Sequence, residues 1–407
     1  MRKYSLIVMI LVSLSVQAQW SLDLQSRAQK GDVASIHQMG WSYENGLGLA
    51  QDYKQALDWY TKAATKGNAA SMNQIGNLYY FGKGVVKNYS TALSWYKKAI
   101  DSKSYKGSEA YNSVGNIYRE GGYGVNRNLE EALPYYIKAY ELGHKYAPNG
   151  IGLIYHERKE FLKAMEWFRK GTERNCTSSI SNIGACYYNG EGAPQDYSKA
   201  MEWYEKAARM GYDTAIRNLA SMYRNGIGTP KDLSKAIFWY QKLADKGDVA
   251  AMYGIGYSYH NSEPTQDNYK KAMEWYLKAE AKGYTAAMND IGLMYEKGRG
   301  VEQNYQKAYE WYTKAWGKAK NVASAEHLGE MYYNGWYVTK DYNKAFEYLK
   351  FSAENSRVIR PNAMRLLAAC YRYGLGTNVD AEKEQYWLEQ AAKHKDQKAM
   401  NIMKVTE

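Results

Sequence analysis

Residues 196–208 read DYSKAMEWYEKAA, with Trp203 in the second half of the stretch. A large aromatic residue returns in the same phase along the chain, and most of the steps between successive positions are 36 residues, as from Trp203 to Trp239. The series comprises Trp59, Trp95, Tyr135, Trp167, Trp203, Trp239, Trp275, Trp311, Tyr348 and Trp387. A ring at a fixed interval implies a repeated packing site, and a period of about 20 to 50 residues predicts a stack of similar units.

A second series, of tyrosines, has the same period and no interruption. It comprises Tyr43, Tyr79, Tyr118, Tyr155, Tyr187, Tyr223, Tyr259, Tyr295, Tyr332 and Tyr371. One turn before them lie Gly40, Gly76, Gly115, Gly152, Gly184, Gly256, Gly292 and Gly329, with Ala220 and Ala368 in the other two units. Because glycine inside a helix costs about 1 kcal/mol relative to alanine, its return predicts that a neighbouring helix approaches closely.

Each unit contains two helical patterns separated by a glycine loop. In one first helix Ile75, Gly76 and Tyr79 follow at helical spacing on a single face. The loop glycines, such as Gly82 and Gly84, permit positive φ where the chain reverses. A nucleotide-binding interpretation of these pairs fails, because they recur as connectors between helices and no strand precedes them.

The second helix opens at an Asp or Asn, whose short side chain caps backbone N–H groups. The predicted caps are Asp52, Asn88, Asp196, Asp232, Asn268, Asn304 and Asp341. Along the same helix, small Ala56 and Ala63 flank the large Trp59, which predicts interlocking of adjacent helices and a packing role for the aromatic anchor.

The stretch at 196–208 resembles the second helix of the Sel1-like repeat family, a relative of the tetratricopeptide repeats with a slightly longer unit. The preceding Ile183-Gly184-x-x-Tyr187-x-x-Gly190-x-Gly192 resembles its first helix and loop. The resemblance covers roughly residues 32–393. It implies an all-α fold, a right-handed superhelical solenoid of about ten helix pairs, and a role in protein–protein contacts.

The repeat pattern divides the chain into four segments. We predict a signal peptide at 1–18, an N-terminal capping half-repeat at 19–31, about ten repeats at 32–394 and a C-terminal capping half-repeat at 395–407. Three departures should perturb the stack locally. Repeat four lacks loop glycines at 157–160, repeat seven replaces them at 262–264, and Pro134 lies inside the second helix of repeat three, where it should bend the helix.

The N-terminal residues are typical of a secretory signal. Arg2 and Lys3 are followed by an apolar run from Leu6 to Val16 and a small-x-small site that ends at Ala18. The alternative is a membrane anchor, but the run is short against the ~20 residues that span a bilayer. We therefore expect cleavage near Ala18, a periplasmic or secreted location, and no membrane-spanning segment.

Composition adds two expectations about partners and cysteines. Without Arg2 and Lys3 the chain has 52 basic and 42 acidic residues, a net charge of +10, which weakly favours acidic partners. The three cysteines, Cys176, Cys186 and Cys370, are an odd number. Cys176 and Cys186 lie about 15 Å apart along one predicted helix, too far for a disulfide, so we predict small packing residues.

Three positions on each first helix vary between repeats. Counted from the recurring glycine they are −3, +1 and +4, which form one stripe on the helix. In tetratricopeptide-like folds the first helices line the concave surface, so the resemblance implies a ligand groove. The proposed contacts are Trp41, Asn73, Tyr80, Asn112, Arg119, Tyr188, Arg217, Arg224, Tyr253, Tyr257, Asn289, Tyr333, Arg365 and Arg372. The alternative is an ordinary solvated helix face.

These features predict an exported, monomeric, non-enzymatic scaffold for a protein or peptide partner. The alternative partner is peptidoglycan or another anionic envelope polymer, suggested by a lysine three residues after most anchors. The series is Lys62, Lys98, Lys138, Lys170, Lys206, Lys242, Lys278 and Lys314. The same lysine belongs to the family pattern, so we favour a role in keeping the outer face hydrated, and we expect no nucleic-acid partner.

A third class is a β-lactam-binding or β-lactam-hydrolysing enzyme, because exported cysteine-rich members of the family are linked to β-lactam binding. The paired cysteines of that subgroup are missing here. The only Ser-x-x-Lys runs from Ser94 to Lys97, across an ordinary anchor, and no Ser-Asp-Asn or Lys-Thr-Gly accompanies it. The six histidines show no metal-binding spacing. We predict no catalytic residue, no metal and no cofactor.

Overall fold

The structure is a computed structural model that describes residues 22–102, 107–355 and 359–406. This part of the chain is helical and contains no strand. The helices are α1 (22–29), α2 (Val33–Asn45), α3 (Tyr53–Thr65), α4 (Ala69–Phe81), α5 (Tyr89–Asp101), α6 (Glu109–Glu120), α7 (Leu129–Glu141), α8 (Ala147–Glu157), α9 (Phe161–Glu173), α10 (Thr177–Asn189), α11 (Tyr197–Arg209), α12 (Asp213–Asn225), α13 (Leu233–Ala244), α14 (Val249–His260), α15 (Gln266–Ala281), α16 (Thr285–Lys297), α17 (Tyr305–Ala319), α18 (Val322–Asn334), α19 (Tyr342–Asn355), α20 (Pro361–Tyr373), α21 (Ala381–Lys393) and α22 (Gln397–Thr406). The predicted signal peptide lies outside the described residues.

The helices fall into two compact units. The first unit comprises α1 to α11 and ends at Tyr212, and the second comprises α12 to α22 and begins at Asp213. Within each unit an even-numbered first helix packs on the second helix that follows it, and that second helix packs on the next first helix. The predicted all-α fold of helix pairs is therefore confirmed.

The largest fully buried side chains are the tyrosines that follow the anchor aromatic. In repeat two the ring of Tyr96 lies so close to the recurring glycine that a Cβ on Gly76 would be 2.5 Å from Cε1 of the ring. The close approach predicted from the glycine is confirmed, and its partner is a tyrosine ring of the paired second helix. The tyrosines without accessible surface are Tyr60, Tyr96, Tyr136, Tyr276 and Tyr312.

The anchor tryptophans are partly buried, except for the buried Trp239, and they pack between neighbouring repeats. Trp95 packs against the cluster that includes Tyr60 of α3 and Ile75 of α4. Trp167 packs in the same way against a cluster formed by α7 and α8. The predicted packing role of the anchor is confirmed. The most deeply buried large side chain, however, belongs to the residue that follows the anchor, as at Tyr60 and Tyr96.

Second helices begin at the predicted caps, with one exception. Asp232 is a typical cap, because its side chain accepts a hydrogen bond from the Lys235 N–H at 2.9 Å. In repeat seven α15 begins at Gln266, and the cap is Thr265, whose hydroxyl accepts from the Asn268 N–H at 3.2 Å. The prediction that Asn268 caps this helix was wrong, since the loop without glycines lets the helix begin earlier.

The departures in repeats three and four are absorbed without loss of a helix. Helix α7 runs from Leu129 to Glu141 through Pro134. In repeat four Lys159 adopts the left-handed conformation, with φ of 62°, in place of a loop glycine. Elsewhere the predicted glycines take that role, as at Gly82, whose φ is 71° and whose N–H bonds to the Leu78 carbonyl.

The three cysteines are buried and unpaired thiols. Burial raises the pKa of Cys186 and of Cys370 to about 12, so both thiols are protonated at neutral pH. A protonated, buried thiol is a small apolar packing residue and a poor nucleophile. The interpretation of the cysteines as packing residues is confirmed.

Candidate binding face of the first helices

The binding stripe consists of the residues at −3, +1 and +4 from the recurring glycine on the first helices, α2 to α20 in even numbers. Its exposure varies widely, since Trp41 and Tyr257 are each 38% exposed whereas Glu326 is 8% exposed. Many stripe side chains bond to other helices. The stripe is therefore not an ordinary solvated face, and only part of it is available to a ligand.

The buried tyrosines hold one or two stripe positions of their own repeat. Each ring passes beside the recurring glycine, and its hydroxyl reaches the +1 or +4 residue on the far side. Burial raises the pKa of the Tyr136 hydroxyl to about 12, although Arg119 opposes the shift, so this hydroxyl remains a donor at neutral pH. The donations are Tyr60 to Glu44 at 2.8 Å, Tyr96 to Asn77 at 2.7 Å, Tyr136 to Asn116 at 2.6 Å and Tyr312 to Glu296 at 2.8 Å.

The −3 position is tied to the next repeat in three cases. The partner is a serine five residues before the recurring glycine of the following repeat. The bonds join His37 to Ser71 at 2.8 Å, Asn149 to Ser179 at 3.4 Å and Asn289 to Ser324 at 3.0 Å. These stripe residues connect neighbouring repeats, and Asn289, which we proposed as a ligand contact, has this structural bond.

Asn73 and Asn112 occupy the same −3 position in repeats two and three but lack the bond. In both side chains the Oδ1 atom is buried and has no hydrogen-bond partner within the described part of the chain. A buried carbonyl oxygen without a donor is unfavourable, so such an atom in a folded protein calls for an explanation. The two side chains are candidates for ligand contact.

Three of the proposed tyrosines lie at +4 and pack on the tyrosine that opens the second helix. Tyr80 is also bonded, because its hydroxyl donates to Glu120 at 3.0 Å. The aromatic pairs hold these rings at the end of the first helix, where each side chain is partly exposed. The centroid distances are 4.9 Å for Tyr80 with Tyr89, 5.1 Å for Tyr188 with Tyr197 and 5.7 Å for Tyr333 with Tyr342.

Four of the five proposed arginines are paired with carboxylates. Such a pair satisfies both charges within the protein, so these arginines are held in place and offer less attraction to an anionic ligand. Arg119 in addition donates to the Tyr136 hydroxyl at 3.3 Å. The pairs are Arg119 with Glu157, Arg217 with Asp248, Arg365 with Asp396 and Arg372 with Glu384.

Arg224 is the proposed arginine that has no carboxylate partner within the described residues. Its guanidinium carbon lies 5.9 Å from the ring centroid of Tyr240 and 5.2 Å from that of Tyr257. Its polar partner is the neutral amide of Asn225, 3.4 Å from Nε. The positive charge is held by two aromatic rings and remains available to an anion.

Tyrosines continue from Tyr257 along α14 and onto the start of α16. Tyr253 lies 6.4 Å from Tyr257 and 4.9 Å from Tyr284, measured between ring centroids. Its hydroxyl donates to Asp290 at 2.7 Å. Burial raises the pKa of Asp290 despite this bond. The predicted contacts do not include Tyr240, Tyr284 or Asp290, because each lies outside the varying positions and no local pattern distinguishes it.

An acidic network joins α16, α18 and α20. Its glutamates, Glu296, Glu326 and Glu330, lie on the binding stripe but were not among the proposed contacts. Glu296 accepts the Tyr312 hydroxyl and lies 3.4 Å from Nδ1 of His327. On the next helices Asn362 donates to Glu326 at 3.1 Å and to Glu330 at 2.9 Å. Since these carboxylates have partners within the protein, we assign them a structural role.

The lysine series packs on the anchor tryptophans. The ammonium nitrogen of Lys278 lies 4.1 Å from the ring centroid of Trp275, and that of Lys314 lies 4.4 Å from the centroid of Trp311. A cation over an indole face is attractive. The geometry gives these lysines a structural role in covering the anchors and gives no specific support to a phosphate-binding series.

The remaining candidate chemistries find no support in the described residues. Lys97 donates to the Tyr118 hydroxyl at 3.0 Å, and this bond raises the pKa of Lys97, the opposite of what a Ser-Lys catalytic pair requires. Within the described ranges no group of three or more His, Cys, Asp or Glu side chains is placed to hold a metal ion. No helix in the same ranges has the length and apolarity needed to cross a membrane.

The fold and the stripe define a repeat protein built from helix pairs, with a partly available face on its first helices. Ten segments match the Sel1 repeat family, at residues 33–68, 69–104, 108–144, 152–176, 177–212, 214–248, 249–284, 285–315, 322–356 and 361–396. The chain belongs to the Sel1 repeat family. Proteins of this family are generally non-enzymatic scaffolds for protein interactions.

Solved structures of similar proteins share this fold. The protein c5321, a protective antigen of uropathogenic Escherichia coli strains that displays an SLR fold, is 27% identical over 91% of this chain and 78% of that chain, with a TM-score of 0.66. A Sel1 repeat protein from Oxalobacter formigenes is 31% identical over 59% of this chain and 94% of that chain, with a TM-score of 0.51. None of the curated proteins compared with the chain matches it.

Proposed function

We propose that the chain is an exported, non-enzymatic scaffold that binds a protein or peptide partner on the binding stripe. The supporting observation is Arg224, a stripe cation without a carboxylate partner in the described part of the chain, between Tyr240 and the exposed Tyr257. Arginine and tyrosine are the residue types that dominate binding energy at protein interfaces. An acidic side chain or the C-terminal carboxylate of the partner would pair with Arg224.

The chemistry around Arg224 specifies the partner further. Tyr257 and Tyr253 present a rigid aromatic surface beside the guanidinium, and Tyr284 extends it. A carboxylate with a neighbouring apolar or aromatic side chain would use both features, because the carboxylate meets the cation and the apolar group covers the rings. An acidic peptide segment with a flanking hydrophobic residue fits this description.

A photo-crosslinking experiment tests the proposal. A photoreactive amino acid replaces the exposed Asn225, and in a matched control it replaces Lys242 on the second helix of the same repeat. Irradiation in living cells should capture a partner from position 225 and not from position 242. The purified partner should then bind Arg224→Ala at least about tenfold more weakly, a loss of roughly 1.4 kcal/mol, and should bind Arg209→Ala, which lies outside the stripe, as it binds the wild type.

A binding assay with isolated peptidoglycan separates a polymer partner from a protein partner. Binding to isolated peptidoglycan that falls steeply with salt and does not depend on Arg224 would replace the proposal with the polymer alternative. Equal binding of the captured protein to wild type and Arg224→Ala would also contradict it.

Export is supported by the N-terminal pattern of basic, apolar and small residues. We expect the mature protein to begin at Gln19, and N-terminal sequencing of the protein from the cell envelope and the medium measures this. Retention of Met1 in all fractions would remove export from the proposal.

A further inference from the structure

Repeats three and four are among the repeats that have alanine in place of the serine that bonds to a −3 side chain. Five residues before the recurring glycine, the chain has Ser71, Ser179 and Ser324 where the tie is present, and Ala110 and Ala147 in repeats three and four. All five side chains are fully buried. Alanine has no hydroxyl to donate, which explains why Oδ1 of Asn73 and of Asn112 has no partner in the described ranges.

The missing bond leaves each carboxamide able to turn. The last side-chain bond of asparagine has a broad rotational preference. A rotation that brings Oδ1 of Asn73 or Asn112 to the surface breaks no hydrogen bond of that oxygen, because it has none in the described structure. A ligand N–H that meets this oxygen would remove the penalty of an unpaired acceptor.

At Asn73 a cavity provides the space for such a ligand. It has a volume of about 560 Å³ and lies where the starts of α2, α4 and α6 adjoin. Asn73 is in its wall, together with His37, Lys66, Gln74 and Glu109. The volume is within the range of ligand sites in proteins, about 300–1,000 Å³, and the wall includes side chains of both signs of charge, Lys66 and Glu109.

We propose that Asn73 and Asn112 bind the main chain of an extended segment of the partner, by accepting hydrogen bonds from its backbone N–H groups. Asn73 and Asn112 occupy the same position on successive first helices, α4 and α6. A ligand that meets both oxygens needs two N–H donors spaced along its length. Backbone N–H groups recur in this way in any extended polypeptide, whatever its side chains. This inference rests on the proposed function. It adds a second site, in the first unit, that binds the backbone of the partner.

The chain itself supplies the variant that tests this site. Ala110→Ser with Ala147→Ser introduces the hydroxyl that repeats two, five and nine have at this register, where a serine is buried in each of them. The new bonds should raise the midpoint of thermal unfolding by about 1–3 °C and hold both oxygens inward. The double variant should therefore be at least as stable as the wild type and yet bind peptide at least about tenfold more weakly. Ala363→Ser, the same change at the same register in repeat ten, should leave the dissociation constant unchanged.

The probe is a phage-displayed library of random twelve-residue peptides. It is selected on the wild type after depletion on Asn73→Ala with Asn112→Ala. Synthetic copies of the selected peptides are titrated by calorimetry against the wild type, the serine double variant and Ala363→Ser. N-methylation of each backbone nitrogen in turn removes one donor, and loss of binding at two positions is expected.

The outcomes separate this inference from the proposed function. If depletion leaves no binding peptides, or if the serine double variant binds them as tightly as the wild type, the inference is wrong and ordered water is the partner of the two oxygens. Peptides that tolerate N-methylation at every position would also refute it. In each case the effect of Arg224→Ala on the crosslinked partner stands as a separate result and decides the proposed function by itself.

Discussion

At Gly76 the backbone lies directly against the ring of Tyr96, and this contact is the basis of the first prediction. A methyl group there would be 2.5 Å from a ring carbon of a fully buried side chain. Gly76→Ala should therefore lower the free energy of unfolding by about 1–3 kcal/mol, measured by urea denaturation.

The control is Gly317, a helical glycine of α17 at which an added methyl group would meet no atom of the described residues within 4 Å. Gly317→Ala should raise the free energy of unfolding by about 0.5–1 kcal/mol, because alanine loses less backbone entropy in a helix. If both variants were stabilised, the contact between Gly76 and Tyr96 would not be tight.

Glu296 gives a prediction about acid stability. Burial opposes its ionisation, but the hydrogen bond and charge of His327, with bonds from Lys297 and Tyr312, lower its pKa from 4.5 to about 2. The ionised carboxylate therefore stabilises the folded state above about pH 4.5, and this contribution is lost as the pH falls towards 2. The difference in free energy of unfolding between wild type and Glu296→Gln should shrink over that window.

Denaturation at a series of pH values measures this difference. Glu302 is exposed, so Glu302→Gln should show a difference from wild type that hardly changes over the same range. A constant difference for Glu296→Gln would show that the folded protein does not favour the ionised form.

At the scale of the helix, the capping side chains determine where second helices begin. Asn304 accepts a hydrogen bond from the Lys307 N–H at 2.9 Å at the start of α17. Asn304→Ala should reduce the free energy of unfolding by about 1 kcal/mol, and thermal unfolding followed by circular dichroism measures it. Glu302→Ala, two residues earlier, should have little effect; an equal loss in both variants would contradict a specific capping role.

The sequence predicts where a helix begins or ends when the residues that determine the boundary are close together in the chain. The cap at Asp232 and the left-handed glycine at Gly82 are determined by neighbours within a few residues. Repeat seven was misread because Asn268 matched the aligned cap position, whereas the missing glycine pair shifted the start of the helix to Gln266. An alignment of repeats cannot by itself show where an altered loop moves a boundary.

The sequence predicted which residues share the face of the first helices. It did not predict which of their side chains are free to contact a ligand. The sequence showed that Arg217 and Arg224 lie on one helix face, and the structure shows that Asp248 pairs with only the first. That carboxylate lies about one repeat further along the chain, so its position depends on how repeats stack. The same packing determines that Asn289 bonds to Ser324 and that Oδ1 of Asn73 has no partner among the described residues.

At the scale of the molecule, each repeat packs on its neighbours in sequence within its own unit. In arrays of this kind stability is close to a sum of local terms. Hydrogen exchange measured by mass spectrometry should therefore show that Gly76→Ala speeds exchange in α4, α5 and the adjoining helices and leaves α10 and α11 of the same unit unchanged. A uniform increase throughout the first unit would indicate global cooperativity instead.

The alternation of Ser71, Ala110, Ala147 and Ser179 at one buried register has an evolutionary consequence. A serine codon of the TCN type becomes an alanine codon by a single base change, and the two side chains differ by one oxygen atom. Duplicated repeats can thus acquire or lose an unpaired acceptor through one point mutation that leaves the hydrophobic interior otherwise unchanged. Recognition can diversify repeat by repeat along a lineage while the scaffold stays constant.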